Sequence, residues 1–184
     1  MAEIATLETL RLRLRPFALA DAPTIQQLAS AAEIAAVTLH IPHPYPDGLA
    51  EQWIAGHPEA AQSGVGLTWA ITDRASATLY GAIGIVIREQ HQHAEMGYWI
   101  GVPFWGRGYC SEAAATVLAH GFGALGLHRI LAHHFGGNPA SGRVMQKIGM
   151  RYEGRQREHI RKGERFEDIV QYGILRQDWE PAST

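Results

Sequence analysis

The sequence predicts a mixed α/β fold built on one central sheet, and three observations lead there. Runs that alternate apolar and polar residues mark strands near the start and in mid-chain. Amphipathic helical stretches fall between them in irregular order, and the chain closes on two strand-like runs across Lys162-Gly163. The resulting order is strand, two helices, three strands, helix, strand, helix, hairpin. That differs from the regular alternation of a doubly wound nucleotide fold. A length of 184 residues suits one domain with a sizeable core, expected to occupy 1–184.

Composition narrows the class. Hydrophobic residues make up 46% and charged residues 18%, the balance of a soluble globular protein. A net charge of −2 gives no electrostatic reason to expect nucleic acid or an anionic membrane as partner. The single cysteine, Cys110, rules out an internal disulfide framework and fits a reducing cytoplasm. Glu3 and Glu8 with no long apolar run argue against a signal peptide, and no stretch approaches the ~20 apolar residues of a membrane span. The expected location is cytoplasmic.

Residues 8–15 open the chain as a half-buried strand, with Leu10, Leu12 and Leu14 inward and Arg11, Arg13 and Arg15 outward. Asp21 then caps a helix with Pro23 in its first turn and Ile25, Leu28, Ala29 and Ala32 on one side, fading near Val37. Ile41-Pro42-His43-Pro44-Tyr45-Pro46 is too rich in proline for helix or central strand. Asp47 starts a second short helix carrying Ala50, Trp53 and Ile54 and ending before Pro58. Leu67–Thr72 and Leu79–Arg88 are strands separated by a polar turn, with Gly81 and Gly84 marking bends or close approach. His91 and His93 lie in the next turn; no further ligands cluster with them, so they read as solvated and no metal is expected.

The central stretch is Glu95–Ser111. Met96, Tyr98 and Ile100 would share one face of a strand, and Glu95, Gly97 and Trp99 the other. Pro103 ends it, Gly106 and Gly108 permit a tight turn, and Ser111 followed by Glu112 and three alanines opens a helix running to about Leu125, stopped by Gly126. A strand, a glycine loop and a helix start make an anion site, because unpaired N–H groups and the helix dipole point outward there. By spacing alone, an ordinary strand-to-helix turn fits equally well. His128–Phe135 is a buried strand, Asn138-Pro139 starts a helix that Gly149 ends, and 151–160 pairs with 165–175.

Trp99-Ile100, Trp105-Gly106-Arg107-Gly108-Tyr109 and Ser111-Glu112-Ala113 resemble the acetyl-CoA signature of the GNAT N-acetyltransferases, in particular the RimJ/RimL branch of ribosomal-protein N-terminal acetyltransferases. Two positions depart from the superfamily pattern: Trp105 replaces Gln or Arg, and Cys110 replaces Gly or Ala. Trp105 is usual for the branch. Glu8–Pro16, the helix–loop–helix of the first half, and Asn138…Ser141…Lys147-Ile148-Gly149-Met150 also resemble the branch, so the likeness runs over nearly the whole chain.

The resemblance implies a mostly antiparallel sheet whose fourth strand, Ala94–Val102, and fifth, Ile130–Phe135, splay apart at the centre. It implies acetyl-CoA as co-substrate, held by Trp99, Ile100, Gly101, Trp105, Gly106, Arg107, Gly108, Tyr109, Cys110, Ser111, Asn138, Ser141 and Lys147. N–H groups near Ile100 and Gly101 would polarise the thioester carbonyl. Asn138 would bond the pantetheine amide and Ser141 would stabilise the departing thiolate, with helix capping by both as the less favoured alternative. Glu95 is the first candidate base; Asp168 is a second, better read as a structural ion pair. His43, Tyr45 and Trp53 are candidates for acceptor contact, or for packing of a rigid loop. The expected acceptor is a primary amine, on a protein N-terminus or a small molecule such as an antibiotic, and the chain a monomer or homodimer. A CoA-binding module without catalysis is the competing class. A phosphate-switch protein is disfavoured, since no Lys-Ser/Thr follows the loop. An acetyl-cysteine route through Cys110 is disfavoured because no histidine is spaced to activate it.

Overall fold

We describe residues 4–179 in a computed structural model of the protein. Among these residues eight strands form one sheet: β1 (Leu7–Glu8), β2 (Leu12–Arg15), β3 (Gly66–Asp73), β4 (Leu79–Arg88), β5 (His93–Ile100), β6 (Arg129–Phe135), β7 (Arg151–Lys162) and β8 (Arg165–Leu175). Their spatial order is β1-β2-β3-β4-β5-β6-β8-β7. Every pairing is antiparallel except that of β5 with β6. The helices are α1 (Ala22–Ala29), α2 (Ala32–Val37), α3 (Leu49–Ala55), α4 (His57–Gln62), α5 (Tyr109–Gly123) and α6 (Pro139–Lys147).

The two faces of the sheet are covered differently. On one, Ala113, Ala114, Val117, Leu118 and Phe122 of α5 and Met145 of α6 pack on Leu14, Trp69, Ile83, Met96 and Ile130. Small side chains bring α5 close: a Cβ on Gly121 would meet Ile130 Cδ1 at 2.6 Å. On the other face, Ala22 and Ile25 of α1 and Ala50 and Ile54 of α3 pack on Ala70 and Leu79, bordered by Phe17, Tyr45, Trp53 and Trp99. Period-2 alternation on the strands thus feeds two separate apolar layers. No helix among the described residues is long and apolar enough to cross a membrane.

The pairing of β5 with β6 positions the site. It covers only His93↔Arg129, Ala94↔Ile130 and Glu95↔Leu131. Beyond that point β5 stays on β4 as far as Gly81↔Ile100, while β6 stays on β8 as far as Phe135↔Ile169. The strands therefore open into a wedge between 96–100 and 132–135.

Several local expectations are corrected. The first strand is broken at Thr9–Arg11, and Leu10 is 88% exposed rather than inward. Thr9 N–H donates to Leu12 O at 2.9 Å and Leu12 N–H to Thr9 Oγ1 at 2.8 Å, closing a two-residue hairpin turn that alternation alone does not reveal. Asp21 occupies the cap position of α1, but its carboxylate turns to the Arg15 guanidinium and the Ala18 N–H. The expected helix to Val37 divides at Ser30-Ala31. The second ends at Ala55, before Pro58 as expected, and Pro58 then serves the first turn of a further helix, α4. Helix α5 starts at Tyr109 rather than Ser111.

His57 opens α4 with its ring 4.5 Å from Trp53 and 5.4 Å from Phe17. Neither ring nitrogen has a hydrogen-bond partner among the described residues, and burial lowers its pKa from 6.5 to about 4. The folded state thus prefers neutral imidazole, while the unfolded chain takes up a proton below 6.5. The contribution is complete above that pH and fades as pH falls toward 4. His57→Phe should therefore flatten the acid limb of Tm between these values. Equal pH slopes in both proteins would contradict this.

Candidate active site

The wedge exposes main-chain groups of β5. Gly101 N–H donates to Tyr80 O at 2.8 Å. Antiparallel ladders alternate, so the N–H groups of Tyr98 and Ile100 point the other way, toward β6, where the ladder has ended. This corrects the expectation for Gly101, whose amide is engaged with β4. Of that pair only Ile100 offers a donor to the wedge. The Ile100 carbonyl accepts from Trp105 Nε1 at 2.5 Å. Trp105, read as a cofactor contact, thus has a structural task through its indole N–H: it folds the loop back onto the strand end.

The loop then rises to α5. Gly106 and Gly108 have φ of +75° and +80°, the left-handed region that disfavours side chains. The first bond of α5 runs from Glu112 N–H to Gly108 O at 3.1 Å, which leaves the N–H groups of Tyr109, Cys110 and Ser111 at the open helix end. The Tyr109 ring stacks on Tyr80 at 4.5 Å, and the Arg107 guanidinium lies 6.0 Å from the Phe104 ring centre. Open amides, a helix dipole and a loop free of side-chain caps fit an anionic diphosphate.

Two further groups sit on opposite faces of the wedge. Toward α5 and α6, Tyr98 OH lies 3.0 Å from Ser141 Oγ and donates to Ser141 O at 3.1 Å. Asn138 caps α6, its Oδ1 accepting from Ser141 N–H at 3.4 Å. Burial, with Cys110 nearby, pushes the Tyr98 phenol well above its ordinary value, so it stays protonated. On the other face, Glu95 Oε1 is 2.8 Å from His133 Nδ1. That hydrogen bond, against a smaller effect of burial, holds Glu95 below the usual carboxylate range, and it is ionised at neutral pH. Sequence reasoning missed Tyr98 and His133. Tyr98 had a signal, a hydroxyl on the apolar stripe Met96–Ile100. His133 had none, because its partner is set by the parallel register.

The remaining candidates divide. Tyr45 and Trp53 join Trp99 in the apolar layer on the Glu95 face. His43 is exposed, bonded through Nδ1 to Ser30 O at 3.1 Å. Lys147 lines a groove between α5 and α6 with Thr116, Ala119 and Asp178. Asp168 is held by Arg155 Nε and by Glu158 N–H, both at 2.7 Å, as a structural ion pair. The rings of His91 and His93 lie 5.6 Å apart, His91 Nε2 is 3.2 Å from Gln90 Nε2, and no group of three His, Cys, Asp or Glu among the described residues is placed to hold a metal.

Comparison with known proteins agrees with this geometry. Residues 11–151 match the family described as "Acetyltransferase (GNAT) domain". The N-acetyltransferase YoaA of Bacillus subtilis, itself uncharacterized, is 37% identical over 112 residues, 60% of this chain and 63% of its own length. The ribosomal protein uS5-alanine N-acetyltransferase of Escherichia coli is 26% identical over 96 residues, 52% of this chain and 50% of its own. The chain thus spans about half to two thirds of these relatives' lengths. The solved structure of RimL, the ribosomal L7/L12 α-N-protein acetyltransferase, in complex with coenzyme A has the same fold. Its TM-score is 0.85 at 18% identity, covering 93% of this chain and 98% of that one. With its sequence matched over residues 11–151 and its sheet opened between β5 and β6, the chain belongs to the GNAT acetyltransferase family.

Proposed function

We propose that the protein is an acetyl-CoA-dependent N-acetyltransferase acting on the α-amine of a protein N-terminus. The observation that carries this reading is the wedge, with an anion-binding loop at its end, paired hydroxyls on one face and an ionised carboxylate on the other. Two reactants can then approach from opposite faces and react in place. Holding them together supplies much of the rate. The acceptor class is supported by the E. coli relative, which acts on a ribosomal protein's alanine, and by the named α-N activity of RimL.

Each group has a defined task. The open end of α5 and the glycine loop bind the diphosphate; Ile100 N–H faces the carbonyl that becomes negative during attack. Acetyl-CoA, when bound, supplies the activated acyl group. Glu95, oriented by His133, accepts a proton from the incoming ammonium. Demand on it is modest, since an α-amine has a reference pKa of about 8 against about 10.4 for lysine. Ser141, oriented by Tyr98, hydrogen-bonds the departing sulfur. Burial pushes the Cys110 thiol up to about 12, so it is neutral and a poor nucleophile, which supports direct transfer.

The acceptor is tested by following thiol release with acetyl-CoA and a panel of amines. Peptides with a free N-terminus should turn over, and Nα-blocked peptides that retain a lysine should not. Preferred turnover of polyamines or aminoglycosides would move the assignment to a small-molecule enzyme, and CoA binding without any turnover would make the chain a binding module. Glu95→Gln should lower kcat/KM by about 10²-fold near neutral pH, less at pH 9 where the amine is already neutral. Ser141→Ala and Tyr98→Phe should each lower kcat by about five- to tenfold, the value of one hydrogen bond, and a double variant should be less than additive. Cys110→Ala should keep activity within about twofold and leave no acetylated protein in single turnover. Additive losses at 98 and 141 would contradict the paired hydroxyls.

A further inference from the structure

The first turn of α5 contains a carboxylate, and nothing in the proposed reaction uses it. Glu112 sits one turn from the open helix end, where a carboxylate is a natural acceptor for the unpaired N–H groups. Left free, it would compete with a phosphate for the same amides and repel it. Instead all its capacity is directed sideways. Oε1 accepts from Thr9 Oγ1 at 2.5 Å and from Arg11 N–H at 3.0 Å, while Oε2 accepts from Arg11 Nε at 2.7 Å and lies 2.6 Å from Nη2. The same guanidinium donates from Nη1 to Arg107 O at 3.1 Å and lies 4.8 Å from the Tyr109 ring centre. A Cβ on Gly108 would be 3.5 Å from its Nη2. One side chain from the β1–β2 turn therefore contacts loop positions 107 and 109 as well as Glu112.

The turn that carries Arg11 is itself fixed. Beyond its own hairpin bonds, Arg74 Nη1 donates to Thr9 O at 3.1 Å, and Arg74 N–H donates to Arg11 O at 2.9 Å. Burial opposes the charge on Glu112, but the hydrogen bonds from Thr9 and Arg11 outweigh it and hold the carboxyl below its ordinary range. It remains ionised, and so needs restraint, at any pH where the enzyme would work. Arg11 is 44% exposed at its side chain and Glu112 20%, so the pair adds little to global stability. Its geometry matters more than its strength.

We propose that Arg11 is a positioning residue for coenzyme A binding: with Thr9, it holds the Glu112 carboxylate away from the N-terminal amides of α5 and fixes the glycine loop, keeping those amides open for the diphosphate. The inference rests on the reading of that loop as the CoA site. It assigns a role to the exposed turn between β1 and β2, 96 residues from Arg107 in sequence.

A charge-removal cycle read by calorimetry with CoA, and by KM for acetyl-CoA, tests it. R11M should weaken CoA by about tenfold, the upper range for a charge near a helix end, with kcat changed less than about twofold and Tm nearly unchanged. E112Q, which removes the competing charge, should bind within about threefold of wild type, and R11M/E112Q should recover most of the loss. A double variant as weak as R11M would mean that the loss does not come from a freed Glu112 carboxylate and would overturn the brace; so would an R11M protein that binds like wild type. Should R11M fail to fold, T9V removes the bond to Glu112 together with the acceptor for Leu12 N–H, and T9S keeps a hydroxyl for both; T9V should weaken CoA by about threefold relative to T9S, against no difference if the brace is wrong. If the wild-type chain takes up no CoA, the reading of the site falls and the brace with it.

Discussion

The site depends on a parallel pairing that stops after three residue pairs. Strand β5 is committed to β4 along its whole length and β6 to β8 along its whole length, so neither can follow the other once they diverge. The result is a break in the middle of a continuous sheet, with main-chain donors facing it and no strand to receive them. Elsewhere such unpaired groups would be a cost. In the proposed reaction they would serve to grip the acyl group, because they are fixed in direction before any ligand arrives.

The flanking layers hold the wedge open and give its faces different chemistry. Helices α5 and α6 cover the face where Tyr98 meets Ser141; α1 and α3 pack on the opposite face at Ala70 and Leu79, and Glu95 meets His133 on that side with both side chains partly exposed. Period-2 alternation along β5 separates the two, with even residues on one side and odd ones on the other. Glycines protect the contacts at the closest points. A Cβ on Gly81 would lie 2.1 Å from Trp99 O, and one on Gly142 would lie 2.7 Å from His134 Nε2, so both β4 against β5 and α6 against β6 require bare backbone.

Much of the fold was legible because its signals are local. The strand–loop–helix of Glu95–Ser111, the Asn138-Pro139 helix start and the closing hairpin each carry their pattern within one contiguous stretch of sequence. What stayed hidden depends on distant partners. Thr9–Arg11 alternates like a strand, but its side chains answer to Glu112, so a turn forms and Leu10 faces solvent. Gly101 belonged to the right segment, yet which amides face the wedge is set by a hydrogen bond to Tyr80. The pairing of Tyr98 with Ser141 spans 43 residues, and that of Glu95 with His133 follows from register. Trp105 was singled out by motif, but its indole N–H closes the loop locally on Ile100.

The most direct measurement is a crystal structure of the protein with coenzyme A. The account predicts the diphosphate on the amides of Tyr109–Ser111 and the sulfur within the wedge, between Ile100 N–H and Ser141 Oγ. Coenzyme A lodged elsewhere, or running past the wedge with its sulfur outside, would contradict it.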